Sequence, residues 1–177
     1  AALKDISFEV KAGEIVALVG ANGSGKTTLT KILLGMYRPD SGSLSLCGIP
    51  YSAYTPQQIR EKIGVFFQDF FLFHATIGEN VAYGDIDHRT EEDRIMKALH
   101  KGGADRVVEK LRDGIDSVIG RQVYRSGVEL SGGERQRIGV ARAHMSDKNI
   151  VIFEEPASAL DPVAEAEQFL HIREKME

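Results

Sequence analysis

The amino-acid sequence predicts an α/β fold: a core with a parallel sheet, a short antiparallel β lobe, and a helical subdomain inserted into the core. Three observations predict it. Ile15–Val19, Ile63–Phe67 and Ile150–Phe153 are continuous apolar runs, the pattern of strands buried on both faces of a parallel sheet. A glycine-rich stretch, GANGSG, joins the first run to a segment with Leu29, Ile32, Leu33 and Met36 at helical spacing. After Phe67 the texture changes to short helical segments with polar breaks, and near the end it returns to an apolar run.

Each element follows from local pattern. Leu3, Ile6, Phe8 and Val10 stand among polar residues and predict an alternating strand; Lys11–Glu14 is a turn. Lys26–Met36 predicts a helix, RPDSG at 38–42 a turn, and Ser43–Leu46 a short strand. Pro56 sits where a helix begins. Thr76–Tyr83, Glu91–His100 and Ala104–Leu111 predict short helices. Ser131 with Glu134 three residues on is a capping box opening a helix to about Met145, and Val163–Met176 is an amphipathic helix. The domain reading is 1–68 and 148–177 for the core, and 69–147 for the helical subdomain.

Composition narrows the function classes. The 177 residues carry a net charge of −4, which makes no general case for nucleic-acid binding. No apolar run approaches the roughly 20 residues that a membrane helix needs, so a membrane role requires a partner. The single cysteine, Cys47, excludes an internal disulfide and reads as a small strand hydrophobe. His74, His88, His100 and His144 show no ligand spacing.

Residues 20–27, GANGSGKT, match the phosphate-loop pattern G-x-x-x-x-G-K-[ST]. The glycines let successive backbone N–H groups curl round a polyphosphate, Lys26 can reach the β- and γ-phosphates, and the Thr27 hydroxyl can ligate Mg²⁺. The following helix points its positive end at the same place. Asn22-Gly23-Ser24 is also a glycosylation sequon, which this context sets aside.

At the other end, IVIFEE runs an apolar strand into two adjacent carboxylates. Like charges side by side repel and resist desolvation, so the pair needs a reason. A nucleotide core supplies one: Glu154 holds Mg²⁺, and Glu155 orients and deprotonates an attacking water. Both roles require this strand tip to lie beside the phosphate loop.

LSGGERQ at 130–136 resembles the signature motif of ATP-binding cassette (ABC) ATPases. With GANGSGKTT, Gln68 after the Ile63–Phe67 run, and EEPASALD, it makes four motifs in that family's order across essentially the whole chain. IREKIGVFFQDFFLFHATIGENVAYGD looks most like an exporter-type cassette. The resemblance implies a P-loop NTPase (RecA-like) core that binds ATP and Mg²⁺. Gly20, Asn22, Gly23, Ser24, Gly25, Lys26, Thr27 and Thr28 would hold the nucleotide's phosphates. Gln68 would touch metal or water and relay to a membrane domain. Glu154 would hold metal and Glu155 would be the base. Ser131, Gly132 and Gly133 would bind the γ-phosphate of ATP held by a second cassette, and Ser158 and Asp161 would lie at the dimer seam. SGG at a helix start offers a hydroxyl, N–H groups and a dipole, but no lysine or metal ligand, which is half a site.

The implied partners are a second ABC cassette and a transmembrane transporter domain, on the cytoplasmic face of a membrane. The family's adenine-stacking aromatic would lie upstream of Ala1 and its switch histidine beyond Glu177, so the chain is expected to be truncated at both ends; His171 falls too early for that role. Glu154 stands where the family has aspartate, lengthening the side chain by roughly 1.5 Å. Ala157 replaces a usual threonine, and VIGRQVYRSGVE departs from the exporter pattern. These departures leave a second reading open, an ATP-binding module that hydrolyses little. A soluble, non-transport ABC ATPase is disfavoured by the acidic balance and by IGENVAYGD.

Five of the eight phenylalanines fall within Phe66–Phe73. Phe66 and Phe67 are expected in the core. Phe70, Phe71 and Phe73 either form an exposed groove for a membrane partner's helix or pack the helical lobe onto the core.

Overall fold

Capping boxes at Thr55, Thr76 and Ser131 open three of the helices in the computed structural model, which describes residues 3–67, 69–121, 123–145 and 148–154. The chain divides between Ile63 and Gly64 into two units. The expected helix at 163–176 lies outside the described residues.

In the first unit, helix α1 (Lys26–Leu33) is shorter than its apolar spacing predicts. Gly35 adopts φ 68°; its N–H donates to the Ile32 carbonyl (3.0 Å) and the Met36 N–H to the Lys31 carbonyl (2.9 Å). That paired closure is a Schellman motif, and it leaves Met36 outside the helix and exposed. Strands β1 (Ser45–Leu46) and β2 (Ile49–Pro50) form an antiparallel hairpin. Its two-residue loop has positive φ at both positions, Cys47 at 53° and Gly48 at 77°. Cys47 is thus an exposed turn residue and not the strand hydrophobe its neighbours suggested. Helix α2 (Pro56–Lys62) opens on a capping box between Thr55 and Gln58, with proline in its first turn. The Tyr51 hydroxyl donates to the Leu33 carbonyl (2.9 Å) and the Tyr54 hydroxyl to the Leu46 carbonyl (3.2 Å), tying the hairpin to α1.

The expected strands at Leu3–Val10 and Ile15–Val19 are not in a sheet. Among the described residues no strand pairs with either run, so nothing covers their apolar side chains: Ile15 is 55% exposed and Val19 93%. An apolar run is buried only when neighbouring strands supply a ladder, and these runs lack one.

β3 (Ile63–Phe66), whose first residue ends the first unit, and β4 (Ile150–Phe153) of the second unit form a two-stranded sheet, continued by the Glu154 N–H donating to the Phe66 carbonyl (2.9 Å). β4 is half-buried, not fully buried as its composition suggests. Among the described residues between them are four α-helices: α3 (Ile77–Ala82), α4 (Glu92–Lys101), α5 (Asp105–Glu109) and α6 (Gly132–His144). Their core is one cluster, in which Ile77, Val81, Leu99, Ile138 and Ala141 are fully buried. A second cluster of Phe66, Val140 and Ala143 joins α6 to the sheet. Phe70 packs on both clusters, with its ring 4.7 Å from that of Phe66. Phe66 is buried as expected and Phe67 only half-buried. Among the described residues no helix is long and apolar enough to cross a membrane.

Candidate phosphate-binding site

The loop before α1 has the backbone its glycines demand. Gly23 and Gly25 take φ 81° and 97°, a region other residues enter only with strain. A Cβ at Gly20 would lie 2.7 Å from the Ser24 hydroxyl, whereas one at Gly23 would meet open space. Gly25 is the N-cap of α1 and offers no side-chain cap, so the helix's first N–H groups are left to a ligand. The Lys26 ammonium folds back over the loop, donating to the carbonyls of Gly20 (2.6 Å) and Ala21 (3.2 Å). A phosphate entering the loop would draw it off those carbonyls. Asn22, Ser24 and Thr27 are exposed, and Thr28 is half-buried.

In the second unit, Ser131 caps α6. Its N–H donates to Glu134 Oε2 (2.9 Å), its hydroxyl donates to the same oxygen (2.9 Å), and the Glu134 N–H donates to Ser131 Oγ (3.3 Å). These bonds from Ser131, then the charges of Lys110 and Arg137, hold the Glu134 carboxyl below the ordinary glutamate range. Ser131 and Gly132 are exposed, and a Cβ at Gly132 would meet nothing within 4 Å. The helix head is therefore accessible to an anion, but it already carries one carboxylate.

Glu154 extends β4 beside the end of β3, and its Oε1 is buried with no hydrogen-bond partner. A buried acceptor without a donor fits an acid that completes its bonding through a cation or its water. Among the described residues no three of the usual ligand side chains group to hold a metal by themselves. Within the second unit, Glu154 is the described residue whose chemistry fits such a cation. Gln68, Glu155, Ser158 and Asp161 lie outside the described residues.

Two residues escaped the sequence reading. Asn80 on α3 is fully buried, and Arg142 on α6 is half-buried. The Arg142 Nε donates to the Asn80 carbonyl (2.8 Å), and its Nη atoms donate to Asn80 Oδ1 and the Phe71 carbonyl (both 3.0 Å). Burial lowers the Arg142 pKa from its ordinary value, partly opposed by Tyr83. The available signal was a lone arginine and a lone asparagine on otherwise apolar helix faces, each of which must find partners when buried. Close by, Phe71 and Phe73 are 61% and 39% exposed, while Phe70 turns inward. The five-phenylalanine run thus splits between core packing and an exposed aromatic surface.

Comparison with known proteins gives one answer. A family profile described as ABC transporter matches residues 3–158. The chain is 42% identical over 163 residues to an ATP-dependent lipid A-core flippase of Burkholderia pseudomallei, covering 92% of this chain and 26% of that protein. It is 38% identical over 168 residues to the nisin transport ATP-binding protein NisT of Lactococcus lactis subsp. lactis, covering 95% of this chain and 28% of that one. Among solved structures, a bacterial Atm1-family ABC exporter with ATP bound matches with a TM-score of 0.79 and 32% identity, over 96% of this chain and 29% of that chain. The chain thus spans about a quarter of the length of the relatives it matches.

Proposed function

The chain belongs to the ABC transporter family, with a P-loop NTPase fold of mixed α/β content and a parallel sheet, and from that premise we propose that it is the ATP-binding and hydrolysing cassette of an exporter. It acts as one of two cassettes closing around ATP, on the cytoplasmic face of a membrane, and drives a transmembrane domain. The observation that carries this reading is the loop before α1: a glycine N-cap without a side-chain bond, left-handed Gly23 and Gly25, and Lys26 poised on the loop carbonyls.

In this reading Gly20, Asn22, Gly23, Ser24 and Gly25 present backbone N–H groups to the phosphates, and Thr27 and Thr28 add hydroxyls. Lys26 exchanges its carbonyl partners for phosphate oxygens. Bound Mg²⁺ would neutralise phosphate charge. Thr27, Gln68 and Glu154 would hold it, and Glu155 would take the proton of the attacking water. Ser131, Gly132 and Gly133 cap the γ-phosphate of ATP held by the partner cassette, with Ser158 and Asp161 at the seam. Residues 1–68 and 148–177 form the ATP-binding core, and 69–147 the helical subdomain. The shared core of α3 to α6 supports the latter assignment.

Lys26→Ala removes a charge-assisted contact and should weaken ATP binding roughly tenfold to a hundredfold in a titration with Mg²⁺. Unchanged affinity would end the proposal. Glu154 favours a second reading, an ATP-binding module with little turnover, because its acid is longer by one methylene and its Oε1 is enclosed. The ATPase rates of the parent and Glu155→Gln separate the two: a hydrolytic cassette loses activity on substitution, whereas a binding module stays at background in both.

A further inference from the structure

Arg142 lies outside every motif named above and Asn80 falls within the exporter-like IGENVAYGD stretch; neither has been given a role so far, yet together they form a polar node. Asn80 uses its whole amide. Its Oδ1 accepts from the Phe73 N–H (2.9 Å) and from Arg142 (3.0 Å), and its Nδ2 donates to the carbonyls of Phe73 (3.1 Å) and Thr76 (2.9 Å). The segment Phe73–Thr76 is thereby wrapped around one buried side chain. Arg142 clamps that wrap from α6, bonding the Asn80 carbonyl, Asn80 Oδ1 and the Phe71 carbonyl. Its guanidinium carbon also lies 5.5 Å from the centre of the Phe73 ring. Among the described residues it has no carboxylate partner: its charge is held by carbonyl oxygens and a ring.

What the node holds in place is exposed. Phe71 and Phe73 meet edge-on at 4.8 Å, and Phe73 and Tyr83 lie 4.6 Å apart, forming an aromatic surface at the end of α3. The other end of α6 carries Ser131, roughly 16 Å away by helical rise. Gly84 brings α3 and α6 into backbone contact, since a Cβ there would overlap the Arg142 carbonyl.

We infer that Arg142 is a positioning residue: paired with Asn80, it fixes the aromatic surface of Phe71, Phe73 and Tyr83 to the far end of the helix headed by Ser131, so that both ends of α6 move as one body. A planar fork with several donors is required, because a lysine could satisfy only part of this carbonyl set. The inference rests on the ATPase reading above, in which Ser131 engages ATP. ATP binding at one end then changes the solvent protection of the Phe71–Ala75 backbone at the other.

The test is hydrogen exchange on the full-length protein containing this chain, with and without Mg²⁺-ATP, beside the KM for ATP. In the parent, ATP alters exchange across residues 70–76. In Arg142→Lys and in Asn80→Ala, KM stays within about twofold while that ATP-dependent change falls at least about fivefold, and the double variant is no worse than either single one. A parent that binds ATP with no change at 70–76, or variants that keep the full response, would overturn the inference and leave the ATPase reading standing. A parent that fails to bind ATP would overturn that reading instead, and this inference with it. Loss of protection in α4 in both variants would make the pair a fold-stabilising contact only, which also overturns the inference.

Discussion

At Ser131 a single residue serves two demands. Its hydroxyl and N–H close a capping box on Glu134, and in the proposed function the same helix head meets a phosphate. Ser131→Ala should cost about 1 kcal/mol of stability, read from a denaturant midpoint. Glu134 places a carboxylate where the helix end is positive, so it stabilises the helix while competing with an incoming anion. Glu134→Gln keeps the box and removes the charge, and should lower the KM for ATP about twofold to fivefold. Its pH dependence has a definite sign. The folded pKa is depressed, so the box's contribution is present above the ordinary glutamate value and is lost as pH falls through the lower folded value. Exchange at residues 132–136 should rise only in acid below the ordinary glutamate range, and Glu134→Gln should show no such rise. Asn80 and Arg142 teach a different lesson. Their polar side chains could not be assigned partners from spacing, because Arg142 bonds residues 62 and 71 positions away.

α6 is the element on which the second unit is assembled. Most of its circumference is buried: Gln136, Ile138, Gly139, Val140, Ala141, Ala143 and His144. Small residues let neighbours approach closely. A Cβ on Gly139 would lie 2.6 Å from the Phe66 ring and 2.7 Å from that of Phe70, and one on Gly102 would lie 2.7 Å from the Ala141 nitrogen. Gly139→Ala should therefore destabilise by roughly 1–3 kcal/mol despite alanine's better helix propensity, because the aromatic rings in the way are themselves packed in the core. A thermal melt of this variant no lower than the parent's would show that the rings yield. Two helix starts were legible because the signals are local: Pro56 at the head of α2 and the Ser131–Glu134 box at the head of α6 appear in the sequence as they do in space, whereas the Thr55–Gln58 box was seen only in the structure. The end of α1 was less so. Leu33 and Met36 sit at helical spacing, and only the left-handed Gly35 decides that the chain leaves the helix between them.

For the whole molecule, the proposed function makes a quantitative demand. The loop at Gly20–Thr28 has the lysine, whereas the head of α6 has donors but no lysine, so ATP hydrolysis should need two copies of the cassette. Where the cassettes are free to separate, the specific ATPase rate should rise with protein concentration at low concentration, and a rate per cassette independent of dilution would argue against pairing. Local order read from the residues alone was sufficient for the backbone of the glycine-rich loop, the Ser131–Glu134 capping box, the β3 and β4 runs and the family, since each is a short-range pattern in which spacing dictates backbone shape. It was insufficient for burial. Ile15–Val19 and Ile150–Phe153 look alike as strings, yet the first is exposed and the second half-buried, because only the second has a neighbouring strand to bond. The inward turn of Phe70, the outward turn of Phe71 and Phe73, and the union of Asn80 with Arg142 were likewise settled by tertiary structure. Side-chain direction and long-range pairing depend on which elements meet, and a linear sequence specifies that only through the packing of the whole.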